Sequence, residues 1–84
     1  EVSERIVRRI KVVRTTVDRV ALQKEVGRHI RAVRGKRTQI AVAEAAGLAR
    51  TSLINIEQGR QGTPIHRLYD IAYALGVPVR RLLP

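Results

Sequence analysis

The chain contains no cysteine, which rules out both the disulfide staples of small secreted domains and a thiolate zinc framework. A reducing, cytoplasmic setting is the expectation. Aromatic residues are nearly missing. Tyr69 and Tyr73 are the two present, and both fall within an apolar helical pattern, so stacking platforms of the kind that hold single-stranded nucleic acid are not expected. No apolar run approaches the roughly 20 residues that cross a bilayer, and the N-terminal stretch interleaves charges with its valines, unlike a signal peptide. The chain opens on Glu1 rather than Met, which leaves a fragment or a trimmed start open.

Catalytic signatures are lacking as well. His29 and His66 stand apart, without an H-E-x-x-H run or an acidic cluster, and read as surface or phosphate-near residues rather than metal ligands. Glu44 and Asp70 lie on helical stretches with bases nearby, consistent with solvated faces. There is no G-x-S-x-G elbow, phosphate-cradling loop or nucleotide fingerprint. A chain of 84 residues buries only about 60 to 65% of its unfolded surface and leaves little room for a closed pocket. An enzyme is not expected, nor a cofactor, nor a metal.

Acidic residues are scarce too. Seven Asp and Glu face 17 Lys and Arg, a net charge of +10. Such a surface calls for a polyanionic partner, since phosphate contact supplies most of the non-specific affinity for nucleic acid. With so few aromatics, duplex DNA fits better than single strands.

What remains is helical punctuation. Val26, Ile30 and Val33 recur at helical spacing and stop at Gly35, giving one helix from about residue 20 to Arg34. A second begins after Thr38, an N-cap, with Ile40, Val42, Ala43 and Ala46 on or near its inner face, and ends at Gly47. A third opens at Ala49 or Thr51 and runs to about Gln58. Thr63-Pro64 reads as an N-cap followed by proline at the first helical position, and Leu68, Ile71, Ala72 and Leu75 form the apolar stripe of a fourth helix, up to Gly76. The stretch VPVRRLLP adds a last turn or short helix, with Val79, Leu82 and Leu83 as plugs of the core. The fold class is therefore all-α.

Residues 1–22 read as a basic extension joined to a domain at 23–84. Ile6, Ile10, Val13, Val17 and Val20 are spaced as in a coiled-coil or helix-docking seam. The stretch is also rich in β-branched residues, which lowers helix propensity, so a helix is expected with an extended arm as the alternative. Arg5, Arg8, Arg9, Lys11, Arg14 and Arg19 make it strongly basic either way. The seam would pair two copies, or pack on its own domain, or hold a protein partner.

The second and third helices together form a specific pattern. Val42, Ala43, Ala46, Leu48, Leu53 and Ile56 fall where two helices meeting at a steep angle need small or apolar residues. Ala43 is small enough for close approach, and Gly47 can take the positive φ that a short turn requires. This spacing is that of a helix-turn-helix.

The stretch TQIAVAEAAGLARTSLINIEQG, followed by LYDIAYALGV, resembles the phage-repressor and Cro-like helix-turn-helix family of DNA-binding regulators over roughly Val26 to Leu83. The marks carrying the resemblance are Gln39, Ala43, Gly47, Glu57, Gly59 and the run IAYAL. The resemblance implies a compact five-helix bundle whose third helix lies in the major groove. Two departures stand out: the loop from Arg34 to Gln39 is shorter than the family's usual pattern, and the proline after Gly59 comes late.

If Leu53 and Ile56 face inward, Arg50, Thr51, Ile54, Asn55 and Gln58 face outward or flank that surface. Arg50 can fork onto guanine and Asn55 can pair bidentately with adenine. Thr51 and Ser52 can bond bases or phosphates, and Ile54 can pack on a thymine methyl. The alternatives are a solvated surface, a helix cap for Ser52, and packing on the neighbouring loop for Ile54. Gln39, at a helix N-terminus, suits a phosphate, or is a simple cap. Lys36, Arg37 and Arg60, with Gln58, would grip the backbone on the flanking loops. The resemblance implies that Arg34 pairs with Glu57 and orients the third helix.

The function expected is a sequence-specific duplex-DNA-binding regulator, a repressor acting as a homodimer on a two-fold operator, since one helix reads only a few base pairs. The chain would be cytoplasmic and nucleoid-associated. An antitoxin-type or other protein-interaction module with a helix-turn-helix core is the competing class, and a DNA binder without sequence preference a third.

Overall fold

The computed structural model of the protein describes residues 18–84. Asp18 opens the first helix, α1 (Arg19–Arg34), as its Oδ1 accepts from the amides of Val20 and Ala21 at 3.0 and 3.2 Å. This satisfies two of the donors that every helix start leaves free. Thr38 does the same for α2 (Gln39–Ala46), its Oγ1 accepting from Ala41 N at 3.1 Å. The next helices are α3 (Arg50–Glu57) and α4 (Ile65–Leu75). A 3-10 turn over Val79–Leu82 closes the described chain.

The described residues thus hold four α-helices, with a 3-10 turn as the fifth element where a last turn or short helix is expected. The last element is too short for more. Pro78 stands at its start, and the backbone is extended again at Leu83, so an i→i+4 ladder has no room to develop. The shortened loop before Gln39 closes on itself, with Arg37 N donating to the Arg34 carbonyl at 3.1 Å.

Gly47 ends α2 at φ 72° and ψ 31°, where a side chain would crowd the following carbonyl. Its amide donates to Glu44 O at 3.1 Å and the Leu48 amide to Ala43 O at 2.8 Å. These bonds satisfy two of the helix's last carbonyls and turn buried Leu48 back onto the core. The turn made by Gly47, Leu48 and Ala49 delivers the chain into α3.

Packing follows from which face each helix buries. Val26 and Ile30 of α1, Val42, Ala43 and Ala46 of α2, Leu53 and Ile56 of α3, and Leu68, Ile71, Ala72 and Leu75 of α4 meet around Leu82, which is fully enclosed. α2 packs on both α3 and α4, while α1 packs on α3 and the 3-10 turn. Gly27 sets how near α1 comes to α3: a Cβ there would stand 2.5 Å from the carbonyl oxygens of both Ile56 and Glu57.

Several expected positions differ. Ile40 is 55% exposed, because the inner face of so short a helix is taken by Val42, Ala43 and Ala46. Leu83 lies beyond the 3-10 turn and is exposed, so Leu82 alone is the fully buried plug, with Val79 partly buried against the core. Tyr69 and Tyr73 lie outside the core, on the outer side of α4. Pro64 is the residue before α4 rather than its first helical residue, and no side chain caps that helix. The seam residues Ile6, Ile10, Val13 and Val17 fall outside the described residues, and Val20 is exposed in the first turn of α1. Since α1 begins at Arg19, the boundary between residues 22 and 23 lies within one continuous helix.

Gly27→Ala is expected to cost more stability than Gly47→Ala. The first forces backbone apart, at typically 1–3 kcal/mol or more for overpacking. The second meets nothing within 4 Å and bears only the left-handed penalty of about 1–2 kcal/mol. Urea denaturation of both variants measures the order, and equal midpoints would contradict it.

Candidate nucleic-acid interface

Glu57 is the buried charged residue among those described, 4% exposed at the last position of α3. Burial disfavours an unpaired carboxylate, and the negative end of the helix dipole disfavours it further. Arg34, at the end of α1, offsets both. Its Nε donates to Oε2 at 2.7 Å and its Nη2 to Oε1 at 3.0 Å, a two-pronged grip from a guanidinium whose side chain is 15% exposed. Gln39 Nε2 adds a bond to Oε1 at 3.1 Å. The remaining Arg34 nitrogen, Nη1, donates to the Arg37 carbonyl at 2.8 Å, and Arg37 Nη1 donates to the Leu75 carbonyl at 3.1 Å. One chain of hydrogen bonds therefore ties α1, the loop after it, α2, α3 and the end of α4.

This network presents α3 with Leu53 and Ile56 inward and its first turn most open to solvent. Arg50 and Thr51 are exposed, Ser52, Ile54 and Asn55 are half-buried, and Gln58 is exposed just past the helix. No side chain caps the start of α3, where the preceding residue is Ala49, so Ser52 does not serve as its cap. Lys36 and Arg60 are exposed on the loops before α2 and after α3. Gln39 is half-buried and turns its amide nitrogen toward Glu57. Arg37 is exposed as a residue, yet one of its guanidinium nitrogens is committed to Leu75.

Sequence reasoning missed two contacts, Gln39 to Glu57 and Arg37 to Leu75. Each joins residues far apart in the chain, and no periodicity signals such a pair. His29, expected at the surface, is half-buried, and its Nδ1 is enclosed with no hydrogen-bond partner. The turn of α1 that brings it inward also buries Val26 and Ile30. No cluster of potential metal ligands occurs among the described residues, and no described helix is long and apolar enough to cross a membrane.

A short helix with a polar outer face, joined to the helix it packs on by a glycine turn, also marks a known family, and the family described as "Helix-turn-helix" matches residues 28–82. The chain belongs to the helix-turn-helix family, of the Cro and phage-repressor type. Among solved structures it is similar to the restriction-modification controller protein C.AhdI from Aeromonas hydrophila, at 25% identity and a TM-score of 0.75, over 80% of this chain and 100% of that one. It is similar to the clp gene regulator ClgR from C. glutamicum, at 27% identity and a TM-score of 0.69, over 73% and 82% of the two chains. A hypothetical transcription factor, NHTF from Neisseria, matches at 27% identity and a TM-score of 0.71, over 81% and 80%. No curated protein sequence matches the chain. This helix-turn-helix protein is a DNA-binding transcriptional regulator.

Removing the Glu57 charge tests the network. Glu57→Gln and Arg34→Met are each expected to lower stability by about 3 kcal/mol, since each leaves a buried partner uncompensated. The double variant is expected to cost less than the sum, with a coupling above about 1 kcal/mol. Thermal unfolding of the four proteins of the cycle gives the answer, and additive losses would show that the two residues do not act together.

Proposed function

We propose that the protein binds a specific duplex sequence as a homodimer, with α3 in the major groove, and represses transcription from a two-fold operator. The observation that carries this reading is the polar face of α3, whose inward residues are held while Arg50 and Thr51 are exposed and half-buried Asn55 lies outside the buried core. Asn55 pairs with adenine, Arg50 forks onto guanine, Thr51 and Ser52 bond base edges or phosphates, and Ile54 packs on a thymine methyl. Gln39, Lys36, Arg37, Gln58 and Arg60 grip the phosphate backbone from the flanking loops, fixing register without reading sequence. For Arg37 this contact uses the guanidinium nitrogens not engaged with Leu75. The Arg34–Glu57 pair sets the angle at which α3 is presented.

Dimer formation is supported by a second observation. Ile65, Tyr69 and Tyr73 recur every four residues on α4 and are 73%, 56% and 85% exposed, an apolar line that water covers poorly in a monomer. A dimer would place two α3 helices about one DNA turn apart, as two-fold operators require. The controller and regulator proteins named above are consistent with a role in transcriptional control.

Selection of bound sequences from a random duplex pool tests the reading. The expected outcome is a palindromic consensus, whereas no enrichment would leave a binder without sequence preference. On the selected duplex, Asn55→Ala is expected to lose about 1–3 kcal/mol of discrimination at one base pair per half-site. Affinity should fall by at least about tenfold between 50 and 200 mM salt, measured by fluorescence anisotropy, and a flat response would contradict the phosphate grip.

A further inference from the structure

The apolar line on α4 runs into a hollow. Ile65, its first member, also lines a groove of about 360 Å³ between α1, the start of α4 and the end of the chain. Val26 and Leu68, both buried, and Leu22 and Leu83, both exposed, supply the rest of its apolar lining, and Gln61 and Thr63 add polar groups. An apolar cavity of roughly 150 Å³ already holds a benzene ring, so this groove has room for an aromatic side chain. The other end of the line carries one. Tyr73 is 85% exposed and stands about 12 Å further along the helix than Ile65. Each copy of the chain thus bears a knob at one end of α4 and a hole at the other, and a lone copy cannot join them, because both are fixed on one helix.

A second copy can. Two copies related by a two-fold axis present the same surface to each other, so that where residue i meets j, j also meets i. Tyr69 lies midway between Ile65 and Tyr73. Antiparallel pairing of two α4 helices about Tyr69 therefore sets Ile65 of each copy, and the groove beside it, against Tyr73 of the other. Gln61 and Thr63 then lie in the same groove as the tyrosine hydroxyl, which needs a polar partner once it is buried.

The charges of α4 favour the same direction. His66 and Asp70 are exposed, and each follows a member of the apolar line by one residue, so both flank it on one side. Although four residues apart, they do not pair with each other, and neither is in an ion pair among the described residues. The antiparallel arrangement brings His66 of one copy to within about 3 Å, along the helix, of the level of Asp70 of the second copy. There an imidazole N–H can donate to the carboxylate, and symmetry makes the contact twice. Parallel pairing would instead set Asp70 against Asp70 and Tyr73 against Tyr73, and leave both grooves empty.

We propose that the homodimer is an antiparallel pair of α4 helices in which Tyr73 of each copy fills the groove of the other and His66 meets Asp70 along the flank. This rests on the homodimer reading above and adds to it the surface and the register.

Sedimentation of the full chain over a concentration series, alone and on the selected duplex, tests it. Tyr73→Ala is expected to weaken the dimer by at least about thirtyfold, since two symmetric aromatic contacts are lost together. Leu22→Ala should weaken it too. The double variant should lose less than the product of the two effects, because both changes empty one contact. Both side chains are exposed outside the core, so far-ultraviolet circular dichroism should match the wild type. Mixing tests the flank. His66→Glu and Asp70→Lys are each expected to weaken self-association, and the two variants mixed should form a heterodimer in preference to either homodimer. An ordinary i, i+4 pairing within one helix gives no such preference.

A dimer unchanged in Tyr73→Ala, or effects of Tyr73→Ala and Leu22→Ala that simply multiply, would overturn the antiparallel pairing while the homodimer stands. Were residues 1–17 the occupant of the groove, Leu22→Ala would leave the dimer unchanged, which would overturn it as well. No preference for the mixed species would overturn the His66–Asp70 contact. A chain that sediments as a monomer at every concentration and on the duplex would remove the homodimer itself.

Discussion

A buried carboxylate at the end of a helix is an unfavourable place for negative charge on two counts, desolvation and the helix dipole, and the described fold arranges itself around one. Glu57 is held by two nitrogens of Arg34 and one of Gln39. These come from the end of α1 and the start of α2, so the ion fixes three helices at once. A buried ion pair contributes little net stability over an apolar replacement, yet leaving either partner alone costs several kcal/mol. Such a pair acts chiefly by penalising every arrangement in which the helices are turned differently. What it secures is orientation, which is what a reading helix needs.

The glycines complement that electrostatic constraint sterically. Gly47 turns the chain sharply enough for α2 and α3 to share a small apolar seam at Ala43, Ala46 and Leu53. Gly27 removes the one side chain that would hold α1 away from the last carbonyls of α3. With backbone so near, Arg34 reaches Glu57 without spanning a gap. Close packing and ion pairing are therefore one arrangement, each setting the distance that the other requires.

On the proposed function, the same arrangement separates reading from gripping. The outward side of α3 carries groups with directional hydrogen bonding, whereas the flanking loops carry the point charges of Lys36, Arg37 and Arg60. Directional groups discriminate bases, and point charges hold a backbone that is alike at every sequence. Mounting the first set on a rigid helix and the second on the elements around it lets affinity and specificity vary independently.

Much of this was legible in the residues alone. The inward stripe of α4, the Thr38 cap and the turn at Gly47 all follow from local rules: apolar period, a side-chain oxygen at a helix start, and a left-handed position that glycine fills. The helix-turn-helix was readable because its constraints lie close together in the chain. Sequence patterning did less well where one face had to be chosen among near-equals. It placed Ile40 and Leu83 inward, and set Tyr69 and Tyr73 within an apolar pattern that the core does not use. Only the assembled tertiary structure decided those positions, along with the Gln39 and Arg37 contacts. Each depends on where a second, distant segment comes to rest, and an i, i+3, i+4 pattern carries information about one helix's own faces, not about which neighbour will cover them.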